Sequence, residues 1–336
     1  MAVDIARLQE TEEWSRRFLK YLFNSRPVWK QGIAWASGTT RKRISRKNMA
    51  KLRIPSPVLK EQRNIATVLY TVDQVIQKTE EIIEQTKLVR DGLRQNLFSV
   101  GINLEGEFRE LSEEELQETR IGNIPPTWNF LRLDEVCSDV VDCLNTTPEY
   151  SDSEIRVVLT SEIEEGRYNP DESPYVTEDV YEKRIRRIES KPGDVIFTRE
   201  APIGEAFKIP EGERLCLGQR TMQLRPKSGV LDSDYLLETL YSAKMQSWYQ
   251  RVAVGSTTKH VRVEDVEGMK IPAPDIDEQR KIATLLGSYR DYIEENLQYT
   301  DQLKRIKRGL MQDLLSGKVR TTDTNIEVPD EIAQHG

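Results

Sequence analysis

The sequence predicts an α+β chain: a strand-rich mixed α/β globule joined to two long helices that form an antiparallel coiled coil. Three observations carry this expectation. The chain repeats itself when Gly38 is placed on Gly255, a shift of 217 residues. A long proline-free stretch follows an I-P-x-P segment in each copy. Short apolar runs bounded by Gly and Pro crowd the region between the two stretches.

The repeat holds without a gap for about 65 residues. Ile54-Pro-Ser-Pro57 meets Ile271-Pro-Ala-Pro274, Glu61-Gln-Arg63 meets Glu278-Gln-Arg280, and Ile65-Ala-Thr67 meets Ile282-Ala-Thr284. Gly92-Leu93 meets Gly309-Leu310, and Leu97 meets Leu314. The period is far too long for a solenoid, so it marks a duplicated domain-plus-helix unit.

In each copy a polar, Gly/Thr-rich stretch leads into the prolines, which stop any helix entering from upstream. No proline then appears between Pro57 and Pro125, or between Pro274 and Pro329. A seven-residue count places Ile65, Val72, Thr79, Thr86 and Leu93 at one seam position, with Leu69, Ile76, Ile83 and Leu97 at the other and Arg90 as the exception. In the second copy Ile282, Tyr289, Leu303 and Leu310 share one position, and Leu286, Ile293 and Leu314 the other. Asn296, Thr300 and Lys307 interrupt this second seam. A helix of about 40 residues is about 60 Å long. With two such helices and a globule that must return the chain, antiparallel pairing is the economical arrangement.

Between the helices the texture changes. Gly122-Asn-Ile-Pro-Pro-Thr-Trp128 opens the globule with a turn and an aromatic anchor. Ile155–Leu159, Asp194–Thr198, Glu205–Ile209 and Met222–Leu224 read as strands, and Tyr235–Val252 reads as one helix. The expected organisation is a partial first copy of the globule over 1–57, a spacer helix over 58–100, a linker over 101–121, a complete globule over 122–276, a second spacer helix over 277–319, and a disordered tail over 320–336.

Composition narrows the function classes. No apolar run approaches the ~20 residues of a membrane span, and the N-terminus MAVDIARLQETEEW has no signal-peptide core. Cys137, Cys143 and Cys216 show no CxxC spacing, and His260 and His335 are the only histidines, so no metal site is expected. Three unpaired cysteines fit a reducing cytoplasm. The net charge of −7 argues, as an average, against nucleic-acid binding. The charge is unevenly spread, however. Acid gathers in Glu105–Glu118 and Ser151–Asp179, and base in Arg41-Lys-Arg43, Arg46-Lys47 and Lys304–Arg308.

No catalytic residues are expected. Asn169-Pro170 is followed by Asp-Glu, which breaks a methyltransferase motif, and no Walker lysine follows Gly32 to Gly38. The Glu61-Gln-Arg63 and Glu278-Gln-Arg280 triplets sit in the first turns of long helices, where Glu complements the helix dipole and the triplet is open to partner contact.

Several motifs resemble a known family. Lys191-Pro-Gly-Asp-Val-Ile-Phe-Thr-Arg199, Ile203-Gly204, Cys216-Leu-Gly-Gln-Arg220 and Leu224-Arg-Pro226 look like the target recognition domain of type I restriction-modification specificity subunits. Gly255-Ser-Thr-Thr-Lys-His260, Lys270-Ile-Pro-Ala-Pro274 and Glu278-Gln-Arg280 look like its exit into the family's spacer helix. The resemblance covers Trp14 to about Val319. It departs in one respect: the first copy begins near Phe18, matched with Tyr235, and nothing equivalent to Gly122–Asp234 lies upstream. The first recognition domain is therefore expected to be a remnant of about 55 residues, through a truncated gene, a misassigned start or a paired form.

The resemblance implies a non-catalytic subunit that reads a split double-stranded DNA site, with the helices as a ruler whose length sets the unread gap. It implies methyltransferase subunits and a restriction subunit as partners, with S-adenosylmethionine, ATP and Mg on those partners and no cofactor on this chain. Self-pairing is a further expectation, because the first domain is incomplete. Base reading needs Arg or Lys opposite guanine and Asn or Gln opposite adenine. The candidate DNA-binding residues are Thr198, Arg199, Gln219, Arg220, Ser256, Thr257, Thr258, Lys259 and His260 in the second copy, and Thr40, Arg41, Lys42 and Arg43 in the first. Gly204 and Gly255 would bring backbone close to phosphate. Tyr175, Tyr181 and Trp248 fit core packing better than base stacking. The competing reading is an inactive recombination cassette or a non-DNA coiled-coil adaptor.

Overall fold

The computed structural model describes residues 12–329, other than Arg41, Leu104 and Thr257, together with Ile332. In chain order the helices and strands are α1 (Arg16–Phe23), α2 (Arg26–Ala34), α3 (Arg46–Met49), α4 (Leu59–Val100), β1 (Asn129–Arg132), α5 (Leu133–Val136), β2 (Cys137–Asp142), β3 (Ile155–Val158), β4 (Ile163–Glu164), β5 (Arg167–Tyr168), β6 (Tyr175–Val176), α6 (Glu178–Arg184), β7 (Val195–Thr198), β8 (Ala206–Lys208), β9 (Leu215–Leu217), β10 (Thr221–Pro226), α7 (Ser233–Leu240), α8 (Ala243–Val252), α9 (Val263–Glu267), β11 (Lys270–Ala273) and α10 (Ile276–Leu315). They form two compact units, one of Met1–Thr86 with Tyr292–Gly336 and one of Lys87–Asp291. Each long helix is therefore shared between the units instead of forming a separate body.

The contiguous unit holds the sheets. An antiparallel sheet runs β2-β10-β7-β8, and a second runs β6-β3-β9 with a parallel β3–β9 pair. Val195, Phe197, Met222 and Leu224 project from the first sheet into a core completed by Tyr235, Leu236, Leu240 and Tyr249 of α7 and α8. Leu97 and Phe98 from the end of α4 and Ile282 and Leu286 from the start of α10 enter the same core. Late residues of one helix thus pack with early residues of the other, which is antiparallel pairing. Each of these side chains contributes about 1.5–3 kcal/mol through burial.

Antiparallel pairing is also seen in the other unit. Ile65 and Leu69 share a cluster with Leu314 and Leu315, Lys307 pairs with Asp73 at 2.5 Å, and Lys304 pairs with Glu80 at 2.8 Å. The seam residues Ile76, Thr79, Ile83, Ile293, Thr300 and Leu303 are buried.

The 217-residue repeat is reproduced in the helices: α1 stands in register with α7, α2 with α8, α3 with α9 and α4 with α10. Tyr235–Val252 is two helices instead of the expected one, because the Ser242 hydroxyl accepts from the Met245 N–H and caps a new helix. Ser25 stands at the same register ahead of α2.

The linker after α4 is packed, with Ile102 and Ile121 buried and Ile102 bridged to Phe108. The tail after residue 319 is likewise packed over its described part. Arg320 pairs with Glu61 at 2.6 Å, the Asn64 amide donates to the Thr321 carbonyl at 2.9 Å, and Val328 and Ile332 join the apolar cluster.

The E-Q-R triplets explain much of the repeat. The Gln62 amide accepts from the Ser15 N–H (2.9 Å) and donates to the carbonyls of Glu13 (3.0 Å) and Pro57 (2.9 Å). The Gln279 amide accepts from Asp232 N–H and donates to the carbonyls of Val230 and Pro274, each at 2.9 Å. Every partner is related by the same shift of 217. Both glutamines are buried, so each fixes the start of its long helix to the entry of its own globule and is closed to partner contact.

Candidate nucleic-acid interface

In the second copy, three segments far apart in sequence meet at one edge of the main sheet. Thr198 ends β7 opposite Thr221, which starts β10. The Arg199 N–H donates to the Arg220 carbonyl at 2.9 Å, and the Val261 N–H donates to the Arg199 carbonyl at 3.0 Å. Glu200 is bridged to His260, and His260 and Val254 exchange two backbone hydrogen bonds of 2.9 Å. The backbone therefore gathers 198–200, 219–221 and 254–261, the segments that carry all the second-copy candidates.

The side chains divide into two groups. Thr198 is fully buried and its hydroxyl accepts from the Glu205 N–H at 3.0 Å, so it supports the edge without facing solvent. Arg199 is turned inward: its guanidinium pairs with Asp142 at 2.9 Å and donates to the Val261 carbonyl at 3.1 Å. Both thus have partners within the fold, and sequence could not show that Asp142, at the end of β2, would engage Arg199. Arg220, Ser256, Thr258 and Lys259 are exposed, and Gln219 and His260 are half-buried. Arg220 takes a left-handed φ of 69° and lies 3.4 Å from the Glu200 carboxylate, an exposed and readily exchanged pairing. Thr257 lies outside the described residues.

The first copy repeats the loop. Ser37 and Arg43 exchange backbone hydrogen bonds of 2.9 and 2.8 Å, as Val254 and His260 do at the same register. Gly38 has φ 110° and Gly255 has φ 109°. A Cβ at Gly255 would lie 2.3 Å from the Thr258 carbonyl oxygen, so this glycine serves the loop's own closure. Gly204 serves packing: a Cβ there would lie 2.8 Å from the Tyr249 ring. Thr40, Lys42 and Arg43 are exposed, and Arg41 lies outside the described residues.

Ion pairs fasten α7 of this unit to both long helices. Glu238 of α7 accepts from Arg94 of α4 at 2.8 Å and from Arg290 of α10 at 2.7 Å, and Asp234 accepts from Arg290 (3.1 Å) and Lys208 (2.6 Å). In the first copy Tyr21 and Asp73 stand in the registers of Glu238 and Arg290, and the Tyr21 hydroxyl donates to Asp73 at 2.7 Å. Glu278 closes the contiguous unit by accepting from Arg109, from the Ile102 N–H at 3.0 Å and from Trp128 Nε1 at 3.1 Å. Tyr181 is buried, Trp248 packs against the main core, and Tyr175 lies under the Arg156 guanidinium, so the three aromatics serve packing. Among the described residues no group of three or more His, Cys, Asp or Glu could hold a metal ion, and no helix is long and apolar enough to cross a membrane.

A duplicated globule on paired long helices, with exposed hydrogen-bonding side chains gathered on glycine-hinged loops, defines the class of a macromolecular recognition module. The chain belongs to the family described as the type I restriction modification DNA specificity domain, whose family model matches residues 8–88 and 125–305. It is 25% identical over 311 residues to the type I restriction enzyme MjaVIII specificity subunit of Methanocaldococcus jannaschii, covering 91% of this chain and 71% of that protein. It is 25% identical over 280 residues to the putative type I restriction enzyme MjaX specificity subunit of the same organism, covering 82% of this chain and 61% of that protein. The fold is also that of the S subunit of the type I restriction-modification system from M. genitalium, with a TM-score of 0.54, 15% identity, and coverage of 90% of this chain and 73% of that one.

Proposed function

We propose that this chain recognises a specific double-stranded DNA sequence as the specificity subunit of a type I restriction-modification complex, and directs methyltransferase and restriction subunits to that site. The observation that carries the reading is the assembled edge of the second copy. Backbone hydrogen bonds link Arg199 to Arg220 and Val261 and link Val254 to His260, bringing the Gln219-Arg220 turn and the loop closed by Val254 and His260 together, and the side chains of Gln219, Arg220, Ser256, Thr258, Lys259 and His260 include the donors that recognise guanine and adenine in the major groove. Arg220 and Gln219 are assigned to bases, and Lys259 and its register mate Lys42 to phosphate. Methyl transfer, strand cleavage and their cofactors are assigned to the partner subunits.

The test is selection of bound sequences from a random duplex library by the purified chain, alone and with its methyltransferase subunit. A single enriched motif, sharpened by the partner, is the expected outcome. Absence of any preferred motif with the partner present overturns the reading in favour of a coiled-coil adaptor or an inactive cassette. Light scattering on the same sample reports whether the chain pairs with itself.

A further inference from the structure

The two copies share a backbone plan and carry opposite charge. From Trp14 to Lys60 the first copy contains thirteen Lys and Arg and no Asp or Glu. The equivalent stretch of the second copy, Leu231 to Asp277, contains five Lys and Arg and eight Asp and Glu. In a chain whose net charge is −7, the stretch from Trp14 to Lys60 is thus a run of positive charge without acid, bordered by Glu13 and Glu61. The contrast arises partly from reversals at matched positions: Arg17 stands where the second copy has Asp234, Lys47 where it has Glu264, and Lys60 where it has Asp277.

The excess is displayed instead of being neutralised within the fold. Arg26, Lys30, Lys42, Arg46, Lys47, Lys51 and Arg53 are all exposed. Among the described residues, no carboxylate lies within ion-pair distance of any of these seven; the ion pairs of this unit include those of Lys304, Lys307, Lys318 and Arg320. Part of the block is drawn together around the repeated loop. The Asn48 amide of α3 donates to the Trp35 carbonyl at 3.1 Å, and the Lys51 ammonium lies 4.5 Å over the Trp35 ring. The hairpin closed by Ser37 and Arg43 lies directly between these elements in sequence. Positive charge of this density, with Arg26, Lys30, Lys42, Arg46, Lys47, Lys51 and Arg53 exposed, is complementary to a continuous row of phosphates.

We infer that the first copy is a sequence-indifferent phosphate clamp, and that the second copy alone discriminates between bases. The inference rests on the DNA-recognition reading and divides its labour: most of the salt-dependent attraction resides in the first copy and most of the sequence preference in the second. It also gives the mismatch in charge a physical use. Adding a strongly cationic first copy to an acidic whole supplies attraction where the remainder of the chain would be repelled by DNA.

The experiment measures affinity of the full chain for a random-sequence duplex and for the selected duplex by fluorescence anisotropy over a range of salt concentrations. The quadruple variant Arg26→Gln, Lys30→Gln, Arg46→Gln, Lys47→Gln is compared with Glu264→Gln, Asp265→Asn in the second copy. Removing one cation from a phosphate lowers the slope of log K against log salt by about 0.9. The quadruple variant is expected to lose about two or more units of slope. It is expected to bind both duplexes tenfold or more weakly at about 0.1 M salt, by the same factor for each. The second-copy variant is expected to keep the wild-type slope. Lys47→Glu is the fold-safe control, because the second copy already carries Glu264 at that register, and circular dichroism confirms that each variant is folded.

An unchanged slope in the quadruple variant overturns the clamp, as does a loss confined to the selected duplex. A loss of binding to polyglutamate with no change on duplex also overturns it, in favour of an acidic protein partner. If no motif is ever selected, yet the random-duplex slope falls as expected, the clamp stands and the specificity reading fails. If a motif is selected and the slope does not move, the reverse holds.

Discussion

At the residue scale, the two arginines of the edge separate support from recognition. Arg199 is committed to Asp142 and the Val261 carbonyl, whereas Arg220 projects outward. Arg199→Ala is expected to strip Asp142 of its partner and lower the unfolding midpoint. Arg220→Ala is expected to leave the midpoint unchanged and to relax preference at one base pair by about 1–3 kcal/mol in a competition assay. Gln279 is the second test. Gln279→Leu orphans the Asp232 N–H and the carbonyls of Val230 and Pro274, and is expected to cost about 1–3 kcal/mol in urea unfolding. The legibility of the site in the sequence divides along the same line. Residue type and loop position point to Arg220, Ser256 and Lys259, and those are exposed. Thr198 and Arg199 satisfy the same rule, but their burial depends on Glu205 and Asp142, whose proximity is set by strand pairing that no local pattern encodes. The glutamines are visible as repeat identities, and only the register of the matched carbonyls shows that they are fasteners.

At the element scale, the long helices are the most legible part of the chain, because a seven-residue apolar count over some 40 proline-free residues has few other solutions. The polar interruptions are harder to interpret. Arg90 and Thr300 break the count and both are buried, while Arg94, which the count passes over, forms the strongest attachment to α7. Glu238 accepts from Arg94 and Arg290 with almost no exposure, so removing the carboxylate leaves Arg94 with Asp91 and Arg290 with Asp234 as their remaining partners. Glu238→Ala is expected to destabilise the contiguous unit by about 1.5–3 kcal/mol through the lost charged hydrogen bonds, measured as a shift in its denaturation midpoint. The exposed Lys304–Glu80 pair is expected to be worth under about 1 kcal/mol by a double-mutant cycle. The sheets are partly legible: the four expected strands exist, but β1 with β11 and β3 with β9 join residues far apart in the chain, and short strands of that kind leave no periodicity to read.

At the scale of the whole molecule, pH acts through one lysine in particular. Burial lowers the Lys244 ammonium to about 8, and it donates to the carbonyls of Phe98 and Asn123, with no carboxylate partner among the described residues. The folded state therefore binds fewer protons than the unfolded state between about pH 8 and the ordinary lysine value, and stability from this group rises with pH across that window. Lys244→Met is expected to remove that rise from the pH dependence of unfolding. The cysteines respond in the opposite sense, since burial pushes the thiols of Cys137 and Cys216 up to about 12 and about 11.

The division of the long helices between two units has a consequence for how the protein is made. Lys87–Asp291 is contiguous and holds all of its core within one stretch, whereas the other unit needs Leu314, Leu315 and Arg320 to close around Ile65, Leu69 and Glu61. The stretch translated earlier is therefore the last to settle, and its apolar surface stays open until Arg320 has emerged. A purified chain truncated after Asp291 is expected to protect the contiguous unit from protease while the stretch before Thr86 is digested, and the full chain is expected to protect both.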